Sequence, residues 1–285
     1  MSIVINTNVS SLIAQRYLTT NNACLQSVTE QLSSGYRINN AGDDAAGLSI
    51  GQTLTTLIKG DSQALKNIRS ATFLVSTAEA GLNTATEHVQ RIRELTVQAA
   101  TEIYSTAQKQ VIINEIKERL NDLDRLAGAA SFNGITLLDG TKKANSLTIQ
   151  IGSGSDVDVN TIDIGAAFTD IHATALGLNY DKLNNAATIT GDDFRDYIAK
   201  LDAALNIINS DMSKIGALTN TMETAERNLT TMVEASTQSR SNIMDVDIAA
   251  ASSELVKYQI LQSASATVLQ QANQIPTIAL QLLGQ

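Results

Sequence analysis

The chain has 285 residues, 43% of them hydrophobic, which leaves room for one or two domains with cores of their own. Only 4% are aromatic, with no Trp and a single Pro, a composition that suits slim helix seams and excludes a thick aromatic core. A formal net charge of −9 excludes a phosphate-tracking surface for nucleic acid, and one cysteine excludes an intramolecular disulfide.

From the N-terminus, Met1 to Tyr17 carry neither the basic region nor the continuous apolar run of a secretory signal, so any export is expected by another route. Leu25, Val28 and Leu32 follow at helical spacing, with Cys24 beside them read as a small buried apolar residue. Asp43 and Asp44 precede Ala45-Ala46-Gly47-Leu48. They are expected to cap the longest helix and not to form a catalytic carboxylate pair. Residues 54 to 99 then repeat in sevens. Leu54, Ile68, Val75, Leu82 and Val89 share one register; Leu57, Ala64, Ala71, Ala78, Ala85, Ile92 and Ala99 share another, three positions on. One helix over residues 43 to 100 would be about 90 Å long. The same spacing continues through Ile113, Ile116, Leu120, Leu123 and Ala127.

The middle of the chain reads differently. Ile135 to Leu138, Leu147 to Ile151 and Val157 to Ile164 cluster or alternate β-branched residues, and Gly152-Ser153-Gly154 separates the last two as a hairpin turn would. Asn133-Gly134 and Asp139-Gly140 mark further turns. Asp192 and Asp193 favour a helix start, and a third heptad run follows through Phe194, Ile198, Leu201, Leu205, Ile208, Met212, Ile215, Met222, Leu229 and Val233. The last run, Leu261, Val268, Ile275 and Leu282, keeps strict intervals of seven. Pro276 inside it should bend or interrupt the helix. No charge falls between Tyr258 and Gln285, yet seven Gln in that stretch argue against membrane insertion.

These elements predict a mainly α fold: a long antiparallel coiled-coil rod built from both chain ends, with a small β-hairpin-rich insertion in the middle. Charge divides it. Residues 1–42 and 242–285 hold seven charged side chains in 86 positions, while the other 199 positions hold 42. The expected division is therefore a terminal helical arm domain, 1–42 with 242–285, and a rod domain, 43–241, carrying a β-rich head at about 131–191. Terminal helices without a charged outer face should be buried on more than one side in an assembly. Inter-subunit packing is accordingly expected at Leu25, Val28, Leu32, Leu261, Val268, Ile275 and Leu282.

Catalytic patterns are missing from the sequence. His88 and His172 do not form an HExxH helix, no phosphate-cradling glycine loop occurs, and no cysteine pair can build a zinc or redox site. His88, next to seam residue Val89, reads as solvated or flank-packed. No enzyme activity, cofactor or metal is expected.

The segment from Ser33 to Leu48, SSGYRINNAGDDAAGL, resembles the N-terminal signature of bacterial flagellins. The resemblance continues in order through Gln90-Arg91-Ile92-Arg93-Glu94-Leu95, Phe132-Asn133-Gly134 and Gln271-Ala272-Asn273-Gln274, and covers roughly residues 1–140 and 190–285. Gly42 and Cys24 depart from the usual pattern. The resemblance implies a subunit that polymerises into the swimming filament, in a short form lacking the variable outer domains. It also implies an extracellular location reached by type III export, a chaperone on the C-terminal arm before export, and cap and junction proteins in the filament. A hook–filament junction protein shares the same terminal arms and is the alternative reading; a secreted enzyme on this scaffold would need an inserted catalytic domain. Gln90, Arg91, Glu94, Leu95 and Glu115 match the flagellin surface read by the Toll-like receptor of innate immunity. Read from spacing alone, that helix face would carry an ion pair between Glu87 and Arg91.

Overall fold

The computed structural model describes residues 7–179 and 189–283, with the backbone only at 143–144 and 276–283. Packing divides the chain into two units, Met1–Ile58 with Ala235–Gln285, and Lys59–Glu234. Both boundaries fall inside long helices.

In the terminal unit, α1 (Val9–Ser34) starts at Asn8, whose side chain accepts from the Ser11 amide, and ends at Gly35 in the left-handed conformation. Asp44 accepts from the Gly47 amide at 2.9 Å and so caps α2 (Ala45–Ala99), while Asp43 accepts from the amides of Asn39 and Asn40. Both aspartates are thus tied to backbone N–H groups around the helix start, as their position predicted. At the other end of the unit, α6 (Gly191–Met244) gives way to α7 (Ile248–Leu283), capped by Asp247. The Arg37 amide donates to the Met244 carbonyl at 2.7 Å and the Val246 amide to the Gly35 carbonyl at 3.0 Å, a clasp between the two interhelix turns. A side chain at Gly51 would strike Met244, so glycine there permits the start of α2 to lie close to the end of α6. The backbone of α7 continues as helix through Pro276 to Leu283, so the expected interruption does not occur.

The second unit is built on three helices. α2 returns through residues 100–105 into α3 (Thr106–Ala129), which opens with a capping box between Ser105 and Gln108. Arg69–Glu226 at 2.8 Å and Arg93–Asp202 at 2.7 Å tie α2 to an antiparallel α6. The predicted seams are buried from residue 64 onward, with Ile68, Val75, Leu82 and Val89 in one register and Ala64, Ala71, Ala78, Ala85, Ile92 and Ala99 in the other, but Leu54 is only half-buried and Leu57 is exposed. The first register also contains Asp61 and Thr96, both buried; the Thr96 hydroxyl donates to the Ile92 carbonyl. Ile113, Ile116, Leu120, Leu123 and Ala127 of α3 close the core.

On α6 the structure corrects one stripe. Phe194, Leu201, Ile208, Ile215, Met222 and Leu229 are buried, but their companions are Tyr197, Ala204 and Asp211, while Ile198, Leu205 and Met212 are only half-buried. The helix buries a stripe wider than a two-helix seam because it also packs beneath the insertion, where the Tyr197 hydroxyl donates to the Leu178 carbonyl. Burial pushes the Tyr197 phenol far above its ordinary pKa. Asp211 is held by Lys214 at 2.7 Å.

Among the described residues, the insertion contains two antiparallel strand pairs. β1 (Ser131–Phe132) and β2 (Ile135–Thr136) are joined by Asn133 and Gly134, both at positive φ, the tight hairpin that an Asn-Gly pair favours. Leu137 and Leu138 then leave the strand and fill the core. After the short helix α4 (Thr141–Ala144), β3 (Thr148–Gln150) pairs with β4 (Thr161–Asp163). The connection is longer than expected: Val157–Asn160 form a helical turn, α5, with Val157 and Val159 exposed. From 164 to 179 the chain is turns and a 3-10 segment that still bury Phe168, Ile171 and Leu178.

Two outcomes follow for the rod unit. Ala78 is fully buried in the alanine register. Ala78→Leu should therefore destabilise the protein by about 1–3 kcal/mol in urea unfolding, through overpacking. The Arg93 guanidinium, hydrogen-bonded to Asp202, holds that carboxyl below the usual carboxylate range. A depressed folded pKa gives stability that is present above the unfolded value, about 3.9, and lost as pH falls through the lower folded value. Urea midpoints of wild type and Asp202→Asn should differ at neutral pH, converge as pH falls from about 3.9 through the lower folded value, and draw together in high salt because both side chains are half-exposed.

Candidate functional site

The seam between α1 and α7 contains many uncharged polar groups. Along α1 the seam runs through Ser11, Ala14, Leu18, Asn21, Leu25, Val28 and Leu32, all buried or half-buried, with Asn22, Cys24 and Gln31 half-buried beside it; along α7 it runs through Ala251, Leu255, Tyr258, Gln262, Ser265, Leu269 and Ala272. Each set alternates steps of three and four, the spacing of an antiparallel helix pair. Side chains bridge the seam at four levels. Asn8 Nδ2 donates to the Ala272 carbonyl at 2.8 Å and Ser11 Oγ to Asn273 Oδ1 at 2.6 Å. Asn21 Nδ2 donates to Ser265 Oγ at 2.9 Å, and Gln262 Nε2 to Asn22 Oδ1 at 2.7 Å. Tyr258 faces the half-buried Cys24, and its hydrogen bond to that thiol raises the phenol pKa.

Because polar groups occupy much of this seam, large aliphatic side chains are left outside. Val9, Leu12, Ile13 and Tyr17 on α1, and Val256, Ile260, Leu261, Val268 and Ile275 on α7, are all exposed. Ala14, Tyr17, Leu261, Ala264 and Val268 line a shallow groove of about 370 Å³. Arg16 and Lys257 lie 5.6 and 5.2 Å from the ring centres of their neighbours Tyr17 and Tyr258. An apolar surface spread over both helices, with little charge around it, is a protein-association surface.

The residues predicted for inter-subunit packing separate into two groups. Leu25, Val28 and Leu32 fall on the seam inside the chain; Val28 is buried there, so α7 already supplies its partner. Leu261, Val268 and Ile275 face outward, and the Leu282 side chain lies outside the described residues. The outward residues of α1 were missed. Asn8, Ser11, Asn21 and Asn22 carried the signal: once these bond across the seam, Val9, Leu12, Ile13 and Tyr17 lie on the free side.

On the rod unit, Arg91 pairs with Glu94 at 3.0 Å and across to Glu115 on α3 at 3.2 Å, instead of with Glu87. Hydrogen bonds to Glu94 and then Glu115 raise the Arg91 pKa above its already high value. Gln90 is exposed on the same helix, whereas Leu95 is buried in the core beneath. The two histidines are apart from any such cluster. His88 is half-buried and its Nδ1 has no hydrogen-bond partner, while His172 Nδ1 lies 2.5 Å from Asp170 Oδ1. Among the described residues, no group of His, Cys, Asp and Glu could hold a metal ion, and no helix is long and apolar enough to cross a membrane.

Residues 5–143 match the bacterial flagellin N-terminal helical region and residues 198–283 the bacterial flagellin C-terminal helical region. The chain is 36% identical to a flagellin of Bacillus subtilis, over 98% of this chain and 99% of that one. It is 35% identical to a flagellar filament 30.7 kDa core protein of Treponema maltophilum, over 95% and 96%. A crystal structure of Bacillus cereus flagellin aligns with 57% of this chain and 88% of its own, at 24% identity and a TM-score of 0.48. With both helical regions matched and relatives aligned along nearly their full length, the chain belongs to the bacterial flagellin family.

Proposed function

We infer that this protein is a structural subunit that polymerises into the bacterial flagellar filament for swimming motility. One observation carries the reading: the α1–α7 pair leaves many aliphatic side chains exposed on helices almost free of charge. Burying each such side chain contributes about 1.5–3 kcal/mol, and neighbouring subunits repeated along an assembly would cover them. The role is mechanical, and no catalytic step enters it. Family membership supports the partners that go with it: export machinery and a chaperone over α7 before assembly, then cap and junction proteins at the ends of the filament, outside the cell.

A second capability rests on the cluster of Arg91, Glu94 and Glu115 with exposed Gln90. On released subunits this face offers the surface that a flagellin-sensing Toll-like receptor reads, with Leu95 supporting it from beneath. Within a filament the same face packs on a neighbour.

Removal of residues 246–285 should leave the 59–234 unit folded, with cooperative thermal unfolding by circular dichroism, and abolish polymerisation as judged by sedimentation and electron microscopy. Filaments from the truncated chain would refute the reading. In the full chain, Val268→Asp should suppress polymerisation at concentrations where wild type assembles and change the monomer melting temperature little, because Val268 is exposed before assembly.

A further inference from the structure

Four helix ends meet at the clasp of the terminal unit: α1 and α6 stop there, and α2 and α7 start. Residues 35–44 join α1 to α2, while only 245–247 join α6 to α7. Three of the ends are closed from within their own turn. The Gly35 amide donates to the Gln31 carbonyl at the end of α1, Asp44 accepts from the Gly47 amide at the start of α2, and Asp247 accepts from the Ala249 and Ala250 amides at the start of α7.

The end of α6 is different. A helix leaves its last four carbonyls without helical partners, and that end carries partial negative charge. The Asp245 amide donates to the Ser241 carbonyl, but the last turn holds no basic residue of its own. Arg37 reaches across from the other turn: its Nη2 donates to the Ile243 carbonyl at 2.7 Å and its amide to the Met244 carbonyl at 2.7 Å. Gln31 Nε2 donates to the Arg37 carbonyl at 3.0 Å and ties it to the last turn of α1. Residues 1–42 and 242–285 contain three basic side chains, Arg16, Arg37 and Lys257. Arg16 and Lys257 lie over neighbouring tyrosine rings, so Arg37 is the one directed at backbone far away in sequence.

We propose that Arg37 is the positioning residue of the α1–α7 pair: by capping α6 across the chain it closes the clasp, and only a chain with its clasp closed presents both helices, correctly aligned, to the growing polymer. A subunit whose clasp is closed a smaller fraction of the time assembles at a proportionally higher concentration. This inference rests on the filament reading above.

The bridge between Tyr36 and Asp245 supplies the test. It is flanked by the bonds from the Arg37 amide to Met244 and from the Val246 amide to Gly35, which makes 36 and 245 a non-hydrogen-bonded antiparallel pair. Cα atoms of such pairs lie about 4.5 Å apart, within reach of a disulfide. In the full chain with Cys24→Ser as background, Arg37→Met should raise the critical concentration for polymerisation about tenfold. Adding Tyr36→Cys and Asp245→Cys to that variant and oxidising the monomers should return the critical concentration to the parent value, and a reductant should raise it again. A role for Arg37 in general stability or in touching a neighbouring subunit would not be rescued by a crosslink at other residues. Arg37→Met protein that polymerises like its parent overturns the proposal, as does a formed 36–245 crosslink that restores nothing; in both cases the filament reading stands. Thiols that do not join on oxidation overturn the clasp itself. A parent chain that does not polymerise under filament-forming conditions overturns both the proposal and the filament reading.

Discussion

A hydrogen bond between two amide side chains exchanges partners with water and contributes only about 0.5–1.5 kcal/mol net, whereas a large aliphatic side chain taken out of water contributes more. The α1–α7 seam places many of the weaker groups between the helices and leaves many of the stronger ones outside. Asn8, Ser11, Asn21 and Gln262 fix register through directed bonds, which a purely aliphatic seam would do less exactingly. The pair is thereby aligned within one subunit while much of its available hydrophobic free energy stays in reserve for assembly. The scarcity of charge on these helices serves the same end, because an unpaired ion covered by a neighbour would cost more than the burial returns.

The 59–234 unit follows the opposite rule. Its core is aliphatic, its alanine register lets α2 approach its neighbours closely, and charged pairs such as Arg69–Glu226 and Arg93–Asp202 lie at the edges, where water still reaches them. Such exposed pairs contribute little stability each, but they favour one alignment of α2 against α6. Asp61, Thr96 and Asp211 interrupt the apolar seams for a comparable reason, since a polar group in a seam penalises shifted registers. The unit is therefore stable by its own packing.

Helices were the most legible part of the sequence. Heptad spacing located α2, α3 and α6, and the aspartates at 43–44 and 192–193 located two of their starts. On α6 the sequence favoured Ile198, Leu205 and Met212 by hydrophobicity, but the insertion packed above the helix widened the buried stripe and drew in Tyr197, Ala204 and Asp211. The Val157–Ile164 stretch looked like one strand because its residues are β-branched; local hydrogen bonding at Asp156 turned its first half into α5, since so short a segment gains little from pairing. At the candidate surface, Leu261, Val268 and Ile275 were readable from strict spacing. Val9, Leu12 and Tyr17 were not, because nothing in their own spacing tells which side of α1 meets α7.

By itself, the sequence determined the helical class, the long repeats, the uncharged chain ends and the ordered signatures of the family, because periodicity and composition are local properties of the chain. Tertiary structure decided which of several apolar stripes each helix would bury. That choice depends on partners distant in sequence: α7 takes Leu25, Val28 and Leu32 from the surface of α1, the clasp at Gly35–Arg37 and Met244–Val246 brings the two turns together, and the insertion draws Tyr197 of α6 into the core. A stripe becomes a core or a docking surface only when the chain has settled which neighbour faces it.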